Sequence, residues 1–123
     1  MIFEKEIRPW GSFVNLKEEK NYKVKEIVIE PLQRISLQYH NDRSELWMVV
    51  FGEIIVNKGL TEYKVIEGGY VYIPSLHIHR IYNPSDANRA VIIEIQHGKR
   101  VVEEDIIRLE DDYLRLDKCD KIV

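Results

Sequence analysis

What most limits the folds open to this chain is the close spacing of its strand-like runs and of the breakers between them. Tyr22–Glu30 (YKVKEIVIE) is dense in β-branched residues and stops at Pro31. ELWMVVFGE and EIIVNKG meet at Gly52. Thr61–Gly69 ends at a Gly-Gly pair, and Tyr70–Pro74 ends at a proline, which cannot donate to a sheet ladder. RIYN then gives a short strand, Asn83–Asn88 a loop, and Ala90–Gln96 a further strand. At least six short strands in about 80 residues argue for an all-β sandwich or barrel over alternating βαβ units. Only the tail, VEEDIIRLEDDYLRLDK, predicts a helix, with acidic residues where the helix dipole favours them.

A length of 123 residues suits one domain, here 1–123, with a barrel over about 8–100 and a tail over about 101–123. Hydrophobic residues make up 45% and charged residues 32%, the balance of a soluble globular chain. The formal net charge of -3 gives no basic footprint, so neither nucleic acid nor an anionic membrane is an expected partner. The single cysteine, Cys119, has no partner for an intramolecular disulfide and no histidine beside it, and carries no expected role. No segment approaches the roughly 20 apolar residues needed to cross a bilayer, and MIFEKEIRPW lacks a signal-peptide core, which makes the cytoplasm the expected compartment.

The chemistry-bearing residues gather before and after the central strands. Gln38 and His40 are two apart, so on a strand they leave the same face. Glu45 follows just before LWMVV, where burying it unpaired would be costly; it binds a cation or stays at the solvent edge. His79 comes after the Pro74 break. Histidine, glutamate and a neutral oxygen donor suit zinc, iron, manganese, nickel or cobalt. Asn41, Asp42 and Arg43 read as a solvated turn, and Trp10 and Trp47 as core. His77 reads as a surface residue or, alternatively, a catalytic one.

These residues resemble the two motifs of the cupins, G-x5-H-x-H-x3or4-E-x6-G and G-x5-P-x-G-x2-H-x3-N. The second runs through Gly68, Pro74, His79 and Asn83, with Leu76 where the family has glycine. The first admits two registers. Taking His40 as its first histidine leaves only two residues between Asp42 and Glu45. Taking it as the second leaves four residues before Glu45 and six between Glu45 and Gly52, with Gln38 in place of the first histidine and Leu32 in place of the opening glycine. The second register is adopted.

A narrower resemblance runs from about Arg8 to Arg115. RPWGSF, YKVKEIVIEP, SLQYHNDRSELWMVVFGE, YIPSLHIHRIYNP, IEIQHG and EEDIIRLEDDYLR look, in order, like the C-terminal cupin domain of type II mannose-6-phosphate isomerases, often fused to a guanylyltransferase. Type I enzymes also present glutamine, histidine, glutamate and histidine to zinc. The chain departs from the family at Asn41, Asp42 and Leu46, where histidines are usual, and at Leu114, where glycine is usual.

The resemblance implies a jelly-roll barrel holding a divalent metal, zinc foremost, through Gln38, His40, Glu45 and His79. It implies interconversion of mannose 6-phosphate and fructose 6-phosphate, or, as an alternative, a stand-alone cupin that binds a sugar, sugar phosphate or nucleotide sugar without turnover. No guanylyltransferase activity is expected. Such an isomerisation needs a base within reach of a carbon-bound proton. Lys25, Glu94 and His77 are the candidates, with Asp42 behind them. A phosphate needs cations, and Arg8, Arg34, Lys25 and Arg80 are the candidates nearest the motifs; Arg34 shares strand parity with Gln38 and His40 and ranks above Arg8, and Gln96, sharing a face with Glu94, is a further candidate for substrate binding. Jelly rolls of this kind resemble proteins that pair through edge strands, which implies a homodimer.

Overall fold

The computed structural model describes residues 4–113. Eleven strands occur among them: β1 (Lys5–Arg8), β2 (Gly11–Glu18), β3 (Tyr22–Ile29), β4 (Leu37–Tyr39), β5 (Arg43–Phe51), β6 (Glu53–Lys58), β7 (Thr61–Ile66), β8 (Tyr70–Ile73), β9 (His79–Tyr82), β10 (Ala90–Gly98) and β11 (Ile107–Glu110). They form two antiparallel sheets, β1-β2-β3-β10-β5-β8 and β11-β4-β9-β6-β7: the all-β architecture that the strand spacing calls for, in the jelly-roll form that the resemblance implies. The seven runs read from the sequence correspond to β3, β5, β6, β7, β8, β9 and β10, RIYN giving β9, which His79 opens. β2 and the short strands β1, β4 and β11 lack a comparable signal.

Registry across the first sheet divides its inner face. Phe13, Ile27, Ile92 and Val49 lie in one row, all buried, and Ile29 and Ala90 continue the apolar end. The next row reads Asn15, Lys25, Glu94, Trp47 and Val71, and the one beyond it Lys23, Gln96, Glu45 and Ile73. One end of the barrel is thus a hydrocarbon core that supplies the burial energy, and the other is a polar chamber built on the same strands. The second sheet closes it, with Gln38 directly opposite His79 on the β4–β9 pair.

The expected tail helix is absent from the described residues: Ile107–Glu110 is β11, paired with β4, and residues from 114 on lie outside them. The acidic residue that looked like a helix start does other work. Asp105 accepts hydrogen bonds from the backbone amides of Asn41 and Asp42, both at 2.9 Å, and so caps the turn into β5. A short helix is marginal on its own, and the β-branched Ile106 and Ile107 favour the sheet edge that β4 leaves open.

Leu32 and Leu76, the two positions where the motifs have glycine, keep left-handed backbones, with φ of 62° and 70°. Leu76 is 62% exposed, and its amide donates to the carbonyl of His40 at 2.7 Å, which ties this turn to the chamber. A left-handed leucine costs about 1–2 kcal/mol, more than the conformational freedom glycine adds to the unfolded chain. Leu76→Gly is therefore expected to stabilise the protein by up to about 1 kcal/mol, read from the urea midpoint; a destabilised variant would show that the turn is unstrained.

Candidate metal centre

His40, Glu45 and His79 bring one ligand atom each to within 4.8 Å of one another, all three residues being buried. His40 stands at the end of β4, Glu45 on β5 and His79 at the start of β9, so both sheets contribute. The Nδ1 of His40 lies 2.7 Å from the Asp105 carbonyl, and that of His79 lies 2.8 Å from the His77 carbonyl. A carbonyl only accepts, so both Nδ1 atoms carry the proton, and in the neutral ring Nε2 is left as a lone pair. His40 Nε2 is 3.1 Å from Glu45 Oε2, and His79 Nε2 is 3.7 Å from Glu45 Oε1.

Burial pulls the His79 imidazole down to about 4, and its Nε2 is buried without a hydrogen-bond partner. For Glu45, burial works to raise the carboxyl, but a hydrogen bond and charge from His40 and the charge of His79, both present when those rings are protonated, together with the fixed charge of Arg43, hold it well below the ordinary carboxylate range. Two imidazole nitrogens and a carboxylate converge with an orphaned lone pair among them. That donor set, oriented by carbonyls behind each ring, fits a divalent cation.

Beside His40 and Glu45, which line it, lies a cavity of about 100 Å³, with Lys25, Gln38, Arg43, Glu94, Gln96 and Arg108 among its other walls. The indole N–H of Trp47 donates to both Glu45 Oε1 (3.1 Å) and Glu94 Oε2 (2.9 Å), and Gln96 Nε2 donates to Glu94 Oε1 at 2.7 Å. Burial, and after it the charge of Glu45, push the Glu94 carboxyl up to about 8. Gln96 Oε1 is buried without a hydrogen-bond partner.

The sequence-derived candidates divide. His40, Glu45 and His79 cluster, with Gln38 opposite His79 in register, and Gln38, His40, Glu45, Lys25, Glu94, Gln96 and Arg8 line one cavity. Arg34 does not: it makes a bidentate pair with Asp112, both distances 2.7 Å, on the outside of the barrel. Its parity fails because β4 begins only at Leu37, while Ile35 and Ser36, consecutive residues, both turn inward. Arg80 is buried away from the cavity, donating to the Ile35 carbonyl and to Glu110. His77 is exposed and contributes its carbonyl to His79 rather than its ring to the chamber. Asp42 pairs with Arg100 and Lys99 at the surface.

Arg43 corrects the reading of a solvated turn. It is 5% exposed, donating from Nε to Glu45 Oε2 at 3.0 Å and from one terminal nitrogen to the Val102 carbonyl at 2.7 Å. Asn83 holds its loop closed through the carbonyls of Ile29 and Asn88. Glu103, Ile106 and Arg108, from the tail, also line the cavity; their signal was hidden by the helical reading of that segment.

A jelly roll with this His–Glu–His cluster inside its polar end is a cupin. A family model described as mannose-6-phosphate isomerase C-terminal matches residues 1–111. The chain belongs to that family. It is 40% identical over 108 residues to the alginate biosynthesis protein AlgA of Pseudomonas aeruginosa, covering 88% of this chain and 22% of that protein. It is 40% identical over 103 residues to the mannose-1-phosphate guanylyltransferase RfbM of Salmonella typhimurium, covering 84% and 21%. The chain thus spans about a fifth of the length of these relatives.

Among solved structures, the capsular polysaccharide assembling protein CapF of Staphylococcus aureus superposes with a TM-score of 0.76 at 22% identity, over 89% of this chain and 34% of that one. A sugar phosphate isomerase of the cupin superfamily from Silicibacter pomeroyi gives a TM-score of 0.68 at 20% identity, over 77% and 71%. At these identities the likeness speaks for the fold. Among the described residues, no helix is long and apolar enough to cross a membrane.

Proposed function

We propose that this chain is a metal-dependent sugar-phosphate isomerase that interconverts mannose 6-phosphate and fructose 6-phosphate, with zinc the first choice of metal and manganese, iron, nickel or cobalt as others the donor set would accept. The observation that carries the reading is the orphaned, buried Nε2 of His79 beside Glu45 and His40, the latter two lining a cavity that also holds the Glu94 carboxyl, pushed up to about 8. The family membership and the sugar-metabolic names of the relatives support the substrate class.

His40, Glu45 and His79 would hold the cation, with Gln38 beside His79 as a further donor. The cation supplies Lewis-acid stabilisation of the negative charge that develops on the sugar oxygens. Glu94 is the group that moves the proton between adjacent carbons. A carboxyl pushed up to about 8 is a far stronger base, once ionised, than an ordinary one, and returns the proton readily near neutrality. Trp47 and Gln96 fix both of its oxygens, so it presents one orientation. The open Oε1 of Gln96 is an acceptor for a sugar hydroxyl.

The test is a coupled assay for fructose 6-phosphate formed from mannose 6-phosphate. Chelation should abolish turnover and zinc restore it, and Glu94→Gln should lower kcat by about 10²–10⁴-fold with the fold intact. Metal-loaded protein that binds a sugar phosphate but never converts it would replace the enzyme with the alternative, a binding module.

The protomer is expected to pair with a second copy. Met48, Val50, Tyr70, Tyr72 and Ile95 leave an apolar outer face on the β10-β5-β8 edge, Tyr70 being 72% exposed. Neighbouring exposed apolar side chains on one sheet face mark a surface suited to a protein partner. Light scattering should return twice the mass of 14.6 kDa, and a monomer would remove the pairing.

A further inference from the structure

We propose that Lys25 and Lys23 form the docking point for the phosphate group of the sugar phosphate, and that the Glu103 carboxylate occupies this point as an internal competitor that swings out when phosphate enters. The inference rests on the sugar-phosphate reading and deepens it. Both lysines lie on the buried face of β3, with the side chains of Lys25 and Lys23 only 6% and 4% exposed, and Lys25 lines the cavity. Buried ammonium groups demand counter-charge. Here a single oxygen, Glu103 Oε1, serves both, at 2.6 Å from Lys25 Nζ and 3.4 Å from Lys23 Nζ. The other carboxylate near Lys23 is Glu18, at 3.7 Å and largely in solvent. Lys25 lies over the ring of Phe13 at 4.0 Å, and the guanidinium of Arg8 approaches the same ring at 4.9 Å. Lys23 and Lys25 thus share one carboxylate oxygen, while Glu18 reaches Lys23 from solvent, Glu94 stands opposite Lys25, and Arg8, paired with Glu6, lies at the same aromatic ring. A phosphate monoester, with close to two negative charges and three free oxygens, satisfies that demand better than one carboxylate oxygen can.

The position of Glu103 suits displacement. Its side chain is 48% exposed, and it sits in the irregular segment between β10 and β11. The backbone on either side is pinned, by Arg43 to the Val102 carbonyl and by Asp105 to the Asn41 and Asp42 amides. The side chain can leave while the segment stays. Registry also sets the span: β3 and β5 flank β10, so the lysines stand two strands, roughly 10 Å, from Glu45. Glu94, opposite Lys25 on β10, lies between the two ends. An open-chain hexose with its phosphate on the lysines would lay its first carbons beside the triad.

The experiment is calorimetric titration of inorganic phosphate into the full chain and three variants. Glu103→Gln should bind phosphate about tenfold more tightly than the parent. Glu104→Gln, the same charge change at the exposed neighbour, should stay within about twofold. Adding Lys25→Met to Glu103→Gln should erase the gain. Equal affinity of Glu103→Gln and the parent, or a gain that survives Lys25→Met, would overturn the proposal. If Glu103→Gln does not fold, Glu103→Asp, which draws the carboxylate back from both ammoniums, must shift affinity in the same direction, and no shift counts against it. The readout does not use turnover: phosphate binding as expected without isomerisation sinks the isomerase reading alone, and isomerisation without the affinity change sinks this site alone.

Discussion

His79→Ala is expected to fold, to lose divalent-cation binding by more than about 100-fold, and to show no isomerase turnover above background. Removal of a group that merely orients a ligand already costs about 10–100-fold in affinity, and here a ligand itself is removed. The imidazole is 1% exposed, so truncation also leaves a small void beside Trp47, with which its ring makes an edge contact at 5.3 Å. The control is His77→Ala. That ring is exposed and only its backbone carbonyl reaches His79, so both binding and stability should match the parent. Elemental analysis after dialysis checks both variants together. Metal at full stoichiometry in His79→Ala would mean that the three side chains do not form the centre.

The second large effect is expected at Arg43. In chelator-treated protein, Arg43→Ala should cost about 3–5 kcal/mol, the range for removing one partner of a buried ion pair and stranding the other. The stranded group is Glu45, 2% exposed, which would keep Trp47 and the two histidines but lose its fixed positive charge. A divalent cation should then stabilise the variant more than the parent, because it restores counter-charge at the same carboxylate. Urea denaturation with chelator and with zinc separates the two contributions. A loss of only about 0.5 kcal/mol, as at an exposed turn, would show that Arg43 does not hold Glu45 in solution.

What the sequence revealed, and what it hid, follows from how far apart the deciding contacts lie. Parity put Glu94 and Gln96 on one face because β10 is long and regular enough for alternation to hold from end to end. The same reasoning failed for Arg34, since a three-residue strand preceded by two inward-turned residues has no parity to extrapolate. Arg43 sits in a polar run that reads locally as a turn; its burial depends on a carbonyl 59 residues later. The tail carried real helical signals, yet Asp105 and β11 are recruited by a turn and a sheet edge that no local window contains. Leu32 and Leu76 were found by spacing alone, because their side chains give no hint of the backbone they adopt.

β10 is paired on both flanks, and its neighbours alternate between Glu94 and Gln96 within and Ile93 and Ile95 without. Gaining or losing one amino acid there would swap the two sets, putting hydrocarbon in the chamber and carboxylate on the outer surface. Descent from a common ancestor can therefore retune this strand only by exchanging side chains where they stand. Indels are left to connections such as residues 83–88, and a lineage could pass from one chemistry to another while its frame kept the same count.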